Sequence, residues 1–275
     1  SNLIGETLIK NQVMNNAGKY KLLLSIFKHA VMWKVIRSED NPMENQPVPK
    51  PLHRQQNKDF YRSHEIPVML ELLKDREEKN QLIVLLALTG ALRRGEIAGL
   101  TTDMIDFKNN RIHIKYSLQY SKRNGLKLKS TKASEERIVT FPEKFMKRLH
   151  KHYLKVLNLK MEMGSLWKGF KDVNGKEVIM LFSNKYGIPQ RPDSITQFWN
   201  RFTLKNEDVL RRIRFHDLRH SSATFILNEG SKKGLNIKTV QKRLGHTDIK
   251  TTLRLYSHVS EDDDVTAGDL FEKFL

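Results

Sequence analysis

The sequence predicts a mainly α-helical (α+β) protein that carries a small antiparallel β-sheet. Over most of the chain after residue 62, apolar residues recur every three or four positions, which is typical of amphipathic helices. Three short segments near the middle alternate apolar and polar residues instead, which predicts β-strands. The longest apolar stretch, Leu82 to Leu88, is too short to cross a membrane.

The 275 residues favour about two domains, and the boundary between them is predicted near residue 42. Apolar residues from Leu22 to Ile36 recur at helical spacing, starting from about Lys19. A single amphipathic helix cannot bury its own apolar face, so we expect residues 1–41 to be the end of a larger helical domain whose earlier part was cut away. Four prolines within ten residues then predict a stiff linker over 42–62, namely Pro42, Pro47, Pro49 and Pro51.

The main domain is predicted to span residues 63–260. Ser63 is expected to cap a helix that runs to about Lys79, and a second helix is expected from Gln81 to Thr89. The strands are predicted over 105–107, 111–116 and 137–141. Further helices are predicted over about 142–161, 193–204, 216–228, 236–244 and 248–258, followed by a tail helix within 261–275.

The composition points to a polyanionic partner. Lys and Arg number 49 against 31 Asp and Glu, a difference of +18, and the sequence pI is about 9.9. This positive field attracts nucleic acid, although solubility alone or an anionic membrane surface would also fit it. The 0 cysteines exclude disulfides, cysteine-based zinc sites and thiol nucleophiles, and they are compatible with a reducing cytoplasm.

The segment from His216 to His220 places His216, Arg219 and His220 on one face of a helix. Two histidines four residues apart resemble half of a zinc site, but the glutamate of a catalytic HExxH motif is absent. A guanidinium beside an imidazole is instead suited to holding a phosphate and moving a proton. A merely solvated helix face is the third interpretation of this segment.

Together with three other motifs, this segment resembles the tyrosine recombinases, the family of phage-type integrases. Residues 89–100 read TGALRRGEIAGL, and the family's Arg-x-x-Glu motif selects Arg93 within them. HxxR corresponds to His216 and Arg219, Leu-Gly-His supplies His246, and the tyrosine ten residues later is Tyr256. The family also carries a lysine at a turn of the sheet, for which Lys132 fits, followed by the strand that begins at Arg137.

Two of these assignments have close neighbours in the sequence. Ala91 and Leu92 separate the Gly90 turn from Arg93, so Arg94 is the alternative arginine. Lys127 and Lys129 are the alternatives to Lys132.

The resemblance implies a tyrosine recombinase catalytic fold and a metal-free, ATP-free transesterification of DNA. Tyr256 would attack the scissile phosphorus and form a covalent 3′-phosphotyrosine. Arg93, Arg219 and His246 would neutralise the non-bridging oxygens. His216 would act as the base, and Lys132 would protonate the departing 5′-oxygen. Further DNA contacts are expected from surface cations, namely Arg94, Lys129, Lys205, Arg211, Arg212 and Arg214.

The resemblance also implies partners. We expect double-stranded attachment sites of a mobile element or prophage, a homotetramer in the synaptic complex that is monomeric when free, and an excisionase or a host DNA-bending protein. The expected location is the bacterial cytoplasm, at the nucleoid, and no cofactor, metal or membrane is expected. Residues 12–41 resemble the last helix of the family's core-binding domain, and the tail would dock on a neighbouring subunit or fold back on its own domain. The alternatives are a type IB topoisomerase and a catalytically dead DNA-binding protein.

Overall fold

The computed structural model describes residues 18–44, 60–130, 136–231 and 234–245. The chain forms two units, residues 1–57 and 58–275. In the first unit, helix α1 spans residues 18–32. The prediction that its helical pattern extends to Ile36 is wrong, because Lys34 adopts a left-handed conformation with φ 57° that ends the helix.

The second unit is mainly helical. Its helices are α2 (Glu65–Leu73), α3 (Glu78–Thr89), α4 (Arg94–Ala98), α5 (Glu143–Met163), α6 (Pro192–Lys205), α7 (Asp217–Ser231) and α8 (Ile237–Leu244). Its strands are β1 (Ile105–Asp106), β2 (Arg111–Ile114), β3 (Tyr116–Ser121), β4 (Gly125–Ser130), β5 (Arg137–Thr140), β6 (Phe170–Lys171) and β7 (Glu177–Val178). Within the described ranges, no helix combines the length and apolar character needed to cross a bilayer.

The predicted three-stranded antiparallel sheet is confirmed. Strand β2 lies between β1 and β5, and Ile112 pairs with Ile105 on one side and with Val139 on the other. The structure adds a hairpin, β3–β4, in which Leu118 pairs with Leu128 and both side chains are buried. The hairpin was not predicted, because most of its other positions are polar or charged and give a weak strand pattern.

The first predicted helix boundary of this unit is wrong. Helix α2 ends at Leu73 and not near Lys79, and Ser63 does not cap it, since the residue at the cap position is His64. The Glu65 carboxylate accepts a hydrogen bond from the Arg62 backbone N–H at 2.8 Å and so stabilises the first turn. The predicted helix over 248–258 and the tail lie outside the described residues.

The core of the second unit contains aromatic side chains that recur at helical spacing on α6. Trp199 is 0% exposed and Phe202 3%, while Phe198 packs against them from a partly buried position. The Trp199 indole donates to the Ile213 carbonyl at 2.8 Å. This bond joins α6 to the segment that leads into α7, and so fixes the start of α7 against the core.

Helix α4 lies directly on strand β3 because two glycines face it. A Cβ on Gly99 would lie 2.8 Å from the Leu118 backbone nitrogen, and one on Gly95 would lie 3.1 Å from the Leu118 carbonyl oxygen. Neither space accommodates a side chain without movement of the backbone. The helix that follows Arg93 is therefore held tightly against the hairpin that leads to residues 131–135.

Candidate active site

The loop between α3 and α4 is shaped by a close packing contact and by an unusual backbone conformation. A Cβ on Gly90 would lie 2.4 Å from the Phe141 ring, so any side chain there would displace this buried ring. Ala91 is fully buried with φ 52°, a left-handed conformation that costs a non-glycine residue about 1 kcal/mol. Such strain is concentrated at functional sites. Here it directs the Ala91 carbonyl toward the Arg219 guanidinium.

Arg93 begins helix α4 and is fixed there by Glu96. The Glu96 carboxylate accepts the Arg93 backbone N–H at 2.8 Å and the Arg93 Nη1 donor at 2.8 Å. The Glu96 carboxylate thus caps the Arg93 backbone N–H, as the glutamate of a capping box does, and it also forms an ion pair with the Arg93 side chain. The Arg93 side chain is 33% exposed, so its guanidinium is both held by the protein and reachable from solvent.

Helix α7 begins with an acidic residue whose carboxylate pairs with Arg214. The buried Asp217 carboxylate accepts the Arg214 backbone N–H at 3.0 Å and two Arg214 side-chain donors at 2.9 Å. This contact fixes the first turn, from which Arg219 projects into the protein. Arg219 is 4% exposed, and it donates to the Ala91 carbonyl at 2.5 Å and to the Leu244 carbonyl.

The carboxyl end of helix α8 holds three arginine side chains. The Arg243 carbonyl accepts Arg137 Nε at 3.0 Å, the Leu244 carbonyl accepts Arg219 Nη2, and the Gly245 carbonyl accepts Arg93 Nη2 at 3.1 Å. The last carbonyls of a helix lack partners within the helix and carry the negative end of its dipole. Guanidinium groups from three separate elements therefore converge on consecutive carbonyl groups.

A buried ion pair lies beneath this convergence. Arg137 donates to both Glu96 oxygens, at 3.0 and 2.8 Å, and the two side chains are 2% and 1% exposed. Burial alone would raise the pKa of Glu96. The hydrogen bonds and charge of Arg137, with a smaller contribution from Arg93, outweigh burial and lower the pKa of Glu96 to about 2. Glu96 is therefore ionised at neutral pH.

The electrostatics of the site favour an uncharged imidazole. Loss of hydration lowers the pKa of His216, and the positive charges of Arg219, Arg214 and Arg93 lower it further, against the opposing effect of Asp217. His216 is therefore neutral at pH 7 and able to accept a proton. The His220 ring stands perpendicular to it, with the two centroids 5.5 Å apart. In the described residues, no group of three or more His, Cys, Asp or Glu side chains is placed to hold a metal ion.

The structure separates the two neighbouring arginines of the first motif. Arg94 points to helix α6, where it donates to Thr196 Oγ1 at 2.7 Å and lies 3.3 Å from Asp193 Oδ1. Arg93 instead shares the end of α8 with Arg219. His216 directly precedes α7, three residues before Arg219, and the charges of Arg219 and Arg93 lower its pKa. Three further predicted residues, Lys132, His246 and Tyr256, lie outside the described residues.

Apart from the half-buried Arg94, the predicted DNA-contacting cations are exposed, and three of them have acidic neighbours. Arg211 Nε lies 3.4 Å from Glu65 Oε1 and Arg212 Nη1 lies 3.6 Å from Glu207 Oε2, in addition to the contact of Arg214 with Asp217. Lys205 is exposed at the end of α6, and Lys129 is exposed on β4. Exposed ion pairs contribute little to stability, so Arg212 can exchange its partner for a phosphate at small cost. Arg214 is less free to do so, because Asp217 is buried and the pair holds the first turn of α7. The contacts of all these cations with DNA stay a prediction.

The residues beneath the site were not predicted from the sequence. In the sequence, Glu96 is only the last position of the Arg-x-x-Glu motif and Arg137 only the start of a strand, and no role is predicted for either. Arg243 belongs to no motif. A signal existed for Arg137, because it stands two residues before Val139 and so shares the buried face of β5. Arg243 donates to the Thr89 and Thr140 carbonyls at 2.6 and 3.1 Å and ties α8 to α3 and β5.

Gly245 is expected to be irreplaceable for two separable reasons. It ends α8 with φ 61°, and a Cβ there would lie 3.1 to 3.3 Å from atoms of Arg137. Gly234 has a similar φ of 71° but nothing within 4 Å of the added Cβ. Gly234→Ala should therefore cost only the left-handed strain, about 1–2 kcal/mol, whereas Gly245→Ala should cost more, because it also displaces Arg137.

Urea unfolding of both variants measures this difference. Equal losses of unfolding free energy would show that Arg137 is not held against Gly245.

Comparisons with known proteins agree on one family. A family model described as the phage integrase family matches residues 59–263. Tyrosine recombinase XerA of Saccharolobus solfataricus is 30% identical over 225 residues, which are 80% of this chain and 59% of that protein. The transposase from transposon Tn916 of Enterococcus faecalis is 29% identical over 185 residues, 67% of this chain and 43% of that protein. The chain thus spans less than two thirds of either relative.

A solved structure supports the fold. The integrase of the Tn1549 transposon, in complex with circular intermediate DNA, superimposes with a TM-score of 0.70 at 20% identity, over 97% of this chain and 84% of that one. The fold predicted from the sequence motifs is confirmed.

Proposed function

The chain belongs to the phage integrase family of tyrosine recombinases, and from this membership we propose that it cuts and rejoins DNA strands through a covalent 3′-phosphotyrosine on Tyr256. The observation that carries the proposal is the convergence of Arg93 and Arg219 on the end of helix α8, immediately before His246. The names of the relatives, which include recombinases and a transposon-encoded transposase, support the same reaction.

The proposed reaction needs fixed positive charge. When a hydroxyl attacks a phosphodiester, phosphorus becomes five-coordinate and negative charge grows on the two non-bridging oxygens. Arg93 and Arg219 present planar forks that match such oxygens, and their groups are ordered by backbone carbonyls before the substrate binds. Charge stabilisation of this kind needs little reorganisation during the reaction.

Proton transfer is assigned to three further groups. The Tyr256 hydroxyl attacks phosphorus while its proton passes to His216, whose depressed pKa keeps the ring neutral and receptive. The phosphorus–O5′ bond breaks as Lys132 donates a proton to the departing oxygen. The bond energy is kept in the phosphotyrosine, so a 5′-hydroxyl of another strand can reverse the reaction and join a new partner.

The partners follow from the reaction. We propose that the chain acts on double-stranded attachment sites of a mobile element, as a tetramer that brings two sites together. The net charge of +18 supports a polyanionic substrate. The circular intermediate DNA bound to the Tn1549 integrase supports the same substrate class. We place the activity at the nucleoid, with an excisionase or a DNA-bending protein as an accessory factor.

Covalent capture on randomised DNA tests the proposal and identifies the attachment site in the same experiment. The chain is incubated with nicked duplexes that contain a random segment, so that cleavage near the nick releases a short fragment and prevents rejoining. We expect an adduct that survives detergent, and sequencing of the captured strands identifies the site. Tyr256→Phe should give no adduct, whereas Tyr153→Phe, which removes a hydroxyl in α5, should leave capture unchanged.

Three outcomes would contradict the proposal. Binding without any adduct would indicate a catalytically dead DNA-binding protein. An adduct that persists in Tyr256→Phe would place the nucleophile elsewhere. On intact duplexes that carry the captured site, resealing of the cut strand without any joining to a second duplex would indicate a topoisomerase.

A further inference from the structure

The guanidinium groups of Arg93, Arg137 and Arg219 meet at the end of helix α8, and we call them the arginine cluster. Arg137 connects the other two. One edge of its guanidinium donates to both oxygens of Glu96. Glu96 also accepts hydrogen bonds from the backbone N–H and the side chain of Arg93. Its Nε donates to the Arg243 carbonyl, the first of the three carbonyls that hold Arg137, Arg219 and Arg93. One side chain therefore contacts both the carboxylate that orients Arg93 and the helix end that receives Arg93 and Arg219.

Each nitrogen of the Arg137 guanidinium donates to the protein, Nε to the Arg243 carbonyl and the two terminal nitrogens to Glu96, so Arg137 is committed to protein contacts and not to DNA. Its side chain is 2% exposed, compared with 33% for Arg93. Its guanidinium also lies within 3.1 to 3.3 Å of the position that a Cβ would take on Gly245, the residue before His246. Arg137 is therefore both packed against the end of α8 and hydrogen-bonded to it.

We infer that Arg137 is a positioning residue for the transesterification, which sets the separation of the two phosphate-binding arginines through Glu96 and the end of helix α8. The inference rests on the proposed function. Arg93 lies at the start of α4 and Arg219 lies in α7, and both contact the carbonyl end of α8. Arg137, from β5, links this end of α8 to Glu96. The guanidinium groups of Arg93 and Arg219 must bind oxygens of the same phosphate at the same time, so the distance between them affects the rate of DNA cleavage.

Lysine at this position tests the geometry while keeping the charge. An ammonium still neutralises Glu96, but it lacks the planar fork that serves both Glu96 oxygens and the Arg243 carbonyl together. For Arg137→Lys we expect adduct formation at saturating protein to slow by about 10–100-fold. The dissociation constant for the captured duplex should change by less than about threefold, since Arg137 does not touch DNA.

The matched control is a second bidentate pair on the same unit. Arg148 donates to both Glu78 oxygens at 3.1 and 3.0 Å, but the side chains are 39% and 42% exposed. Arg148→Lys should leave both the adduct rate and the affinity unchanged. Adduct formation by Arg137→Lys at the wild-type rate would overturn the inference, and so would a rate loss matched by an equal loss of affinity.

A measurement without DNA separates this inference from the proposed function. Nitrogen-15 spectra of the arginine side chains report hydrogen exchange at the guanidinium groups of Arg93 and Arg219. We expect faster exchange at both in Arg137→Lys and no change in Arg148→Lys, while unchanged exchange in Arg137→Lys would overturn the inference. If the unmodified chain forms no adduct on any duplex, the proposed function fails, whatever the spectra show.

Discussion

Replacing Arg219 with alanine is expected to slow formation of the DNA adduct by about 10³–10⁵-fold, the range measured when an arginine that stabilises a phosphoryl transition state is lost. Affinity for DNA should fall much less, because binding is distributed over many phosphate contacts. The buried guanidinium is also held by the Ala91 and Leu244 carbonyls. Its loss leaves two buried acceptors without this donor, at about 1–3 kcal/mol each.

The chemical and structural effects of this substitution can be separated. Rates are measured at saturating protein, at a temperature where circular dichroism shows that the variant is folded. A duplex with a methylphosphonate at the scissile position lacks one anionic oxygen, so its cleavage depends less on Arg93 and Arg219. We expect the ratio of wild-type to Arg219→Ala rates to shrink on this duplex, because less charge develops for the missing guanidinium to neutralise.

A ratio that stays the same on the neutral linkage would contradict a role in charge stabilisation. It would assign Arg219 to holding the Gly90–Arg93 loop against α8 instead. Arg219→Lys provides the intermediate case, because it keeps the charge but loses the fork that reaches both carbonyls.

The sequence predicts those parts of the fold that depend on local pattern. The helical period places Trp199 and Phe202 in the core, and period-two alternation gives the three-stranded sheet. Local pattern does not predict the β3–β4 hairpin, because the hairpin is stabilised by packing against α4 at Gly95 and Gly99 and not by alternation of its own apolar and polar residues. Helix α2 ends earlier than predicted, at the turn over 74–76, because the spacing of apolar residues does not predict this turn.

In the candidate site too, local motifs predict some residues, and contacts between distant parts of the chain are not predicted. Motif spacing predicts Arg93, His216 and Arg219 as site residues, and adjacency in sequence leaves Arg94 as an alternative to Arg93. The geometry of a helix start separates the two arginines, since the capping residue and the next residue project in different directions. The Glu96–Arg137 pair joins residues 41 positions apart, and the contact of Arg93 with Gly245 joins residues 152 positions apart. No local pattern encodes such distances.

Loss of the buried carboxylate should be the largest single effect on stability. Glu96→Gln keeps the shape of the side chain but leaves the Arg137 charge without its counter-ion in a site that is 1% exposed. Breaking a buried ion pair by removing one partner costs about 3–5 kcal/mol. The matched variant Glu78→Gln breaks a bidentate pair that is 42% exposed, and it should cost no more than about 1 kcal/mol. Urea unfolding at pH 7 gives both values.

The pH dependence of this loss identifies its cause. The folded-state pKa of Glu96 is about 2, below its ordinary value of 4.5, so its contribution to stability is complete above pH 4.5 and disappears as pH falls toward 2. The difference between wild type and Glu96→Gln should therefore shrink between pH 4.5 and pH 2, as the wild-type carboxyl takes up the proton. A difference that stays constant down to pH 2 would mean that packing, and not the charge of Glu96, stabilises the arginine cluster.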